Sequence, residues 1–420
     1  MTVLNLIKKL WIFAFGNFFL ITLLKRLLEF IGMDLYLFQL MLVLCAIYGA
    51  YNISKLKKPI LLDSVVILYI IYIIINTLGI SYTNHWQYVY KATIIQFFPI
   101  FCYFIGRQRI ISLEYVLSNM KYPIIIAMVA GVYLFFTHPS WYVEMKEAQL
   151  NGSNNENFVL EIYRLSSFWG HPYYIAYATL LFTIYMIFRI NKKENNISDY
   201  FILFICCIVL LLAQMRVTIV GALFAYFYIN KSKINFSTIV GVGILSFFVV
   251  VVIINVLDIE NTAYIIEHFQ LLLDSSSYSD RFQHTSGGIT NYSFFGDGFG
   301  RYDLTARSFD KFAIVDNEFQ NHLAELGYIG LSFLLFILVY TTYMALCVRK
   351  SSILETSVFL FYLMSLIGAS VLSNETQYNY IMWYTIGVIC SKHSYAQPYH
   401  IQKSGVKQEV QFHNNNNQNI

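Results

Sequence analysis

The residues that could do chemistry crowd into one stretch, Ser279 to Gly330. It reads Ser-Asp-Arg-Phe (279–282), Gly-Asp-Gly-Phe-Gly-Arg (296–301) and Asp-Asn-Glu-Phe-Gln-Asn-His-Leu-Ala-Glu-Leu-Gly-Tyr-Ile-Gly (316–330). A guanidinium pairs bidentately with phosphate. Arg281 and Arg301, with Arg164 and Arg216 earlier in the chain, are therefore candidate ligands for an anionic headgroup. Asp and His can each accept a hydroxyl proton, which makes Asp316 and His322 candidates for a general base or a substrate-orienting group. Glu318, His322 and Glu325 share one helix face by their i, i+4, i+7 spacing.

Each of these residues also has a plainer reading. Asp316 could be a helix N-cap, with Phe319 and Leu323 packing below it. Arg164 could pair with Glu161 and Arg281 with Asp280, while Arg216 could snorkel or cap a helix. Arg301 reads as a loop charge, and His171, before Pro172, as a capping or interfacial histidine. The glycines at 296, 298, 300, 327 and 330 suit turns and close backbone approach. Without a preceding strand and a following helix, Gly-x-Gly-x-Gly is not a nucleotide fingerprint. No metal-ligand spacing and no Ser-His-Asp ordering is evident, so neither a metal nor a cofactor is expected.

The elements that must position these residues are helices in lipid. The chain has 420 residues, 57% hydrophobic, 18% aromatic and 12% charged, against about 25% charged for an ordinary soluble domain. So apolar a chain cannot cover itself with polar surface. A net charge of +4 gives no case for a nucleic-acid partner. The six cysteines sit in or at the ends of apolar runs and read as small hydrophobes without a disulfide framework.

Apolar runs long enough to span predict an all-α polytopic membrane protein with about twelve transmembrane helices. They fall at 10–24, 33–53, 59–80, 92–106, 121–137, 170–190, 199–214, 217–230, 237–257, 328–348, 353–372 and 379–391. The runs are continuous, which argues against a barrel of alternating strands. Gln214, Met215 and Arg216 alone separate two of them, giving a tight hairpin or one broken helix. The first run follows Lys8 and Lys9 but has no small-residue cleavage site, so it reads as a retained span. Residues 1–391 form one helical domain, and 392–420 read as a disordered cytoplasmic tail.

Most of the 28 Lys and Arg fall inside when the N-terminus is placed in the cytoplasm. Two long loops then face outward, 138–169 and 258–327, and the second begins with an amphipathic stretch over 263–273. Lys25 and Arg26 run against this bias, which suggests that the first segment lies partly in the interface.

In order along the chain come Arg164 before Gly170-His171-Pro172, Arg216 at the hairpin, and Arg281 followed by Gly296-Asp297-Gly298-Phe299-Gly300. Asp316-Asn317 with Leu323-Ala324-Glu325-Leu326-Gly327 and Gly330 then opens the next span. Over roughly 160–345 this order resembles the O-antigen polymerase and ligase superfamily of bacterial inner-membrane glycosyltransferases. The resemblance implies a helical glycosyltransferase fold of the C type with a periplasmic site. It implies an undecaprenyl-diphosphate-linked oligosaccharide as donor and another as acceptor, membrane lipids around the chain, and a chain-length regulator protein as a partner.

On that pattern Arg164, Arg216, Arg281 and Arg301 would hold diphosphates, Arg281 in a catalytic role as well. Asp316 or His322 would act on the acceptor, with His171, Asn317 and Glu325 lining the substrate. Ligase-like members carry His-Asn where this chain has Asp316-Asn317, which favours a repeat-unit polymerase of O-antigen or capsule synthesis. A ligase acting on lipid A-core, and a flippase of the lipid-linked oligosaccharide, are the alternatives.

Overall fold

Backbone amides that leave water must find partners within the chain, and helices supply them locally. The computed structural model describes residues 3–30, 37–56, 58–80, 89–90, 92–144, 164–167, 172–194, 196–231, 292–302, 317–368 and 378–394. Of these, 84% are helical and none lies in a strand. The chain opens with α1 (Val3–Gly16), α2 (Phe18–Phe30), α3 (Leu37–Ile53) and α4 (Leu61–Ile80). A π-turn (Thr93–Phe97) and a short turn (Phe98–Ile100) lead into α5 (Cys102–Arg107). Then come α6 (Leu113–Asn119), α7 (Lys121–Thr137), α8 (Pro172–Lys192), α9 (Ile197–Ala213) and α10 (Arg216–Ile229). The last are α11 (Glu318–Cys347), α12 (Ile353–Gly368) and α13 (378–394).

Two helices lie at the centre. Every residue of α8 from Ile175 to Ile187 is buried, and α6, α7, α9, α10 and α12 pack around it. Every residue of α13 from 378 to 391 is buried as well. An all-round apolar helix belongs in an interior. α13 meets α5 through glycine: a Cβ on Gly106 would overlap the Tyr384 carbonyl, and one on Gly387 the Tyr103 carbonyl. Such close approach favours helix pairing in lipid, where apolar burial alone drives little.

The outer helices expose apolar side chains. Ile75 and Leu78 on α4 are 62% and 67% exposed, and Val339 on α11 is 68% exposed. Contiguous apolar surface of this kind suits a lipid environment.

Three helices are long and apolar enough to cross a membrane: Leu61–Gly79, Pro172–Lys192 and Glu318–Cys347. Two bent pairs bring the number to 5, with bends of 73° after Gly16 and 42° after Asn119. The other apolar helices are shorter. The described residues therefore hold fewer full spans than the twelve expected from hydropathy, and run 237–257 lies outside them.

The reasons for the difference are local. The expected span 10–24 breaks at Asn17, where the Asn119 amide binds the Gly16 carbonyl at 2.9 Å. Run 92–106 is interrupted by the π-turn and by Pro99, which lacks an N–H. Asn379 Nδ2 takes up the Ile95 carbonyl there at 2.9 Å. The 214–216 turn makes a hairpin: Gln214 adopts φ 54°, and Asn191 at the far end of α8 binds the last carbonyl of α10, Ile229, at 2.6 Å. α13 continues to 394, taking in the first three residues of the expected tail, and Lys392 on it pairs with Glu355 at 2.9 Å. The rest of the tail lies outside the described residues, as does the 263–273 stretch. All six cysteines are free; Cys207 and Cys347 face outward and the others are buried.

The helices sort the loops to two ends. One end carries Lys58, Arg107, Lys121, Arg189, Arg349 and Lys392, held by ion pairs, a carbonyl bond and, for Arg349, the Tyr228 ring. Its firmest tie is bidentate: Arg107 Nε and Nη2 lie 2.9 and 3.0 Å from the two Asp63 oxygens. Tyr103 donates to the same carboxylate at 2.6 Å, and Arg107 reaches the Lys58 carbonyl at 2.8 Å and Ser394 at 3.2 Å. Removing one partner of a buried pair strands the other charge, at a cost of about 3–5 kcal/mol. Arg107→Ala should lower the unfolding midpoint in detergent accordingly. The Asp63→Ala, Arg107→Ala double variant should lose less than the sum of the two single losses.

Candidate functional site

The opposite end is organised by a break in α11. Gly327 has φ 66° and ψ −169°, a region that essentially only glycine occupies. The break leaves the last carbonyls of the first half-helix without helical donors. The Gly-Asp-Gly-Phe-Gly turn supplies replacements. Asp297 N–H donates to the Ala324 carbonyl at 2.8 Å, and Gly298 N–H to that of Glu325 at 3.1 Å. From α4, Tyr72 donates its hydroxyl to the Leu326 carbonyl at 2.6 Å. Asn76, one turn further along α4, holds the Phe295 carbonyl at 2.6 Å. The fit requires two glycines: a Cβ on Gly296 would overlap the Glu325 carbonyl, and one on Gly327 the Phe294 carbonyl. The glycine motif is thus a cap that fixes the half-helix.

That half-helix begins at Asn317, whose side chain accepts from the Gln320 N–H at 3.2 Å. The N-cap is therefore Asn317, the role considered for Asp316. Asp316 itself lies outside the described residues. The shared face of Glu318, His322 and Glu325 turns inward, and Asn321 joins it. Their exposures are 0%, 4%, 1% and, for Asn321, 0%. A polar stripe on a helix usually faces water; this one faces the interior.

The four residues fare differently inside. His322 Nε2 lies 2.9 Å from the Tyr69 hydroxyl of α4. Its Nδ1 lies 3.1 Å from Glu318 Oε1, an ion-pair distance without the alignment of a hydrogen bond. Glu325 Oε1 accepts the Tyr302 N–H at 3.0 Å, so this carboxylate helps to hold the glycine turn in place. The Tyr302 hydroxyl donates to Asp297. Burial, and after it that hydrogen bond, pushes the hydroxyl above its ordinary range, so it remains a donor at neutral pH. Both amide atoms of Asn321 lack a hydrogen-bond partner.

Arg164 is buried at the same end. Its Nε reaches the Ala213 carbonyl at 3.3 Å, and its guanidinium lies 6.0 Å from the Tyr173 ring. The segment 164–167 is seated on α7 and α9: Leu165 N–H donates to Leu212 O at 3.0 Å, and Ser167 to Ala127 O at 2.7 Å. Arg216 opens α10 three residues after Ala213, so its backbone lies within about 11 Å of the Arg164 contact. The Arg216 side chain lies outside the description. Arg301 is exposed and turned toward its own loop, 3.5 Å from the Asp297 carbonyl and 5.8 Å from the Tyr302 ring. His171 and Arg281 lie outside the described residues.

Ring contacts tie the surroundings of Arg164 and those of His322 to the same helix, α13. Tyr173 stacks on Tyr177 at 6.5 Å, and Tyr177 meets Tyr378 of α13 at 5.3 Å. Further along α13, Trp383 stacks on Tyr69 at 6.4 Å. The arginine and the histidine therefore flank one end of the same central helix.

Sequence reading missed Tyr69 and Asn321. Tyr69, Tyr72 and Asn76 share an i, i+3, i+7 spacing inside an apolar run, a pattern that could have marked the polar face of α4. The spacing puts Glu318 on the same face as His322 but by itself assigns it no role.

Tyr69→Phe should leave a buried imidazole nitrogen without its partner and cost about 1–3 kcal/mol, read as a lower melting midpoint. Gly327→Ala should cost about 1–3 kcal/mol or more from backbone strain. Gly79→Ala, where a Cβ meets nothing within 4 Å, should be silent in the same assay. No family model matches the chain, and no curated protein matches it.

Proposed function

We propose that the chain is a membrane-embedded glycosyltransferase that polymerises lipid-linked oligosaccharide repeat units at the periplasmic face, for O-antigen or capsule. One observation carries the reading: the buried Glu318–His322–Tyr69 group and the buried Arg164 flank one end of the same central helix. That end is opposite the basic end, which the positive-inside bias assigns to the cytoplasm. In this reading the described helices and run 237–257 make up about twelve spans of a C-type glycosyltransferase. The chain would sit in the bacterial inner membrane.

An acceptor hydroxyl attacks the anomeric carbon of the growing glycan. The bond from that carbon to the diphosphate breaks, and undecaprenyl diphosphate leaves with the electron pair. Arg164, with Arg216 and Arg281, offsets the charge that develops on the departing diphosphate. The hydroxyl proton passes to Asp316 or to the Glu318–His322 pair. Arg301, exposed on its loop, serves first contact with the lipid headgroup.

Deleting the gene in the native host should collapse a polymer ladder to core plus one repeat on lipopolysaccharide gels, or abolish the capsule polymer. Loss of every repeat would point to a ligase, and an unchanged pattern would overturn the reading. Ala at Arg164, Arg216 or Arg281 should reduce chain extension by about 100-fold or more without loss of protein. Wild-type chain lengths in all three variants would refute the arginine roles.

A second reading has its own support. The breaks at Gly327 and at Thr93–Phe97 are of the kind that transporters use. Purified protein in vesicles separates the two: a polymerase lengthens the glycan, whereas a flippase moves an unchanged lipid-linked unit across.

A further inference from the structure

Among the described residues, two buried side-chain amides have neither atom hydrogen-bonded. Gln96, on the π-turn, is 5% exposed, and neither atom of its amide has a hydrogen-bond partner. Asn321 is 0% exposed, and both of its amide atoms are likewise unpartnered. Buried amides in folded proteins nearly always find partners, and exceptions call for an explanation such as a ligand. Each is linked to one face of α13 through the residue beside it. On α13, Asn379 and Trp383 sit one turn apart on the same face. Asn379 holds the Ile95 carbonyl, next to Gln96, at 2.9 Å. Trp383 stacks on Tyr69, which holds His322, next to Asn321.

The chemistry of the surroundings narrows the ligand. Each amide offers two donors and an acceptor and no charge. Glu318 is buried one turn before Asn321 and would oppose an anion. Aromatic rings lie about His322, the residue after Asn321: Tyr69 bonds it and Trp383 stacks on Tyr69. Mixed donors and acceptors beside rings and a carboxylate suit a hydroxyl-rich, uncharged ligand and not a phosphate.

We infer that Gln96 and Asn321 form a glycan subsite that binds sugar hydroxyls beside His322, separate from the anion-binding arginine on the other flank of α13. The inference rests on the glycosyl-transfer reading for the identity of the glycan. It divides the substrate between two places: sugar at the amides, diphosphate at Arg164.

The test uses the full chain in detergent, with Gln96→Met and Asn321→Leu as near-isosteric variants. Two probes are used: the glycan released by mild acid from the host's polyprenyl-diphosphate carriers, and inorganic pyrophosphate. Without ligand both variants should melt at or above the wild-type temperature, because an unpaired buried amide has been removed. Glycan should raise the wild-type melting temperature saturably, and each variant should need at least tenfold more of it. Protection by pyrophosphate should be unchanged in both variants and lost in Arg164→Gln.

Lower melting of both ligand-free variants would show that the fold itself satisfies the amides, and would overturn the inference. So would an absence of glycan protection in the wild type, or equal protection in both variants. Loss of pyrophosphate protection together with glycan protection would reassign the amides to the diphosphate. If gene deletion leaves the host polymer unchanged while the glycan result holds, the subsite stands and the polymerase reading falls.

Discussion

The carbonyls of Ala324, Glu325 and Leu326 lose their helical donors where α11 breaks, and that end of the bundle is arranged around replacing them. In a membrane interior an unsatisfied backbone group costs several kcal/mol, because no water is there to bond it. A break is therefore tolerated only where the protein brings its own donors. Here they come from two directions, the backbone of the 296–298 turn and the hydroxyl of Tyr72. This requirement explains why a loop rich in glycine is pressed against a helix end, why Gly296 and Gly327 face each other without side chains, and why Glu325 is spent on the Tyr302 N–H. It also sets the direction of the half-helix, which turns Glu318, Asn321 and His322 inward.

The two ends of the bundle treat buried polarity differently. At the basic end Asp63 is enclosed by Arg107, Tyr103 and the Ile60 N–H, and Asp199 by Arg189, Lys121 and the Asn196 N–H. Such groups hold helices in register and have little capacity left over. At the other end the histidine–glutamate contact is unaligned, and the Gln96 and Asn321 amides retain both their donors and their acceptors. Unsatisfied polarity lowers stability, and proteins commonly accept that loss where a site must bind something else. The contrast within one chain favours the His322 end as the candidate site without appeal to a motif.

Hydropathy made the all-helical class and its long apolar helices legible, because lipid demands long apolar runs whatever the tertiary arrangement. The run 121–137 coincides with α7, and the runs 59–80, 170–190, 199–214, 217–230 and 379–391 fall within three residues of a helix. Breaks were harder to read. Asn17 and the Thr93–Phe97 turn interrupt runs that hydropathy treats as continuous, because what permits a break is a distant donor, Asn119 in one case and Asn379 in the other.

Sequence alone determined that the polar residues cluster late in the chain, that Glu318, His322 and Glu325 share a face, and that the glycines serve turns and close contacts. Those are consequences of spacing and residue type, which act locally. Only the tertiary structure decided that this face points inward, that Tyr69 reaches His322 across 253 positions, and that Asn317 is the residue capping the helix. It alone placed Arg164 in the interior and Arg301 on the surface, though both look like loop charges in the sequence. Burial and partnership depend on which helices meet, and a pattern within one helix carries no record of its neighbours.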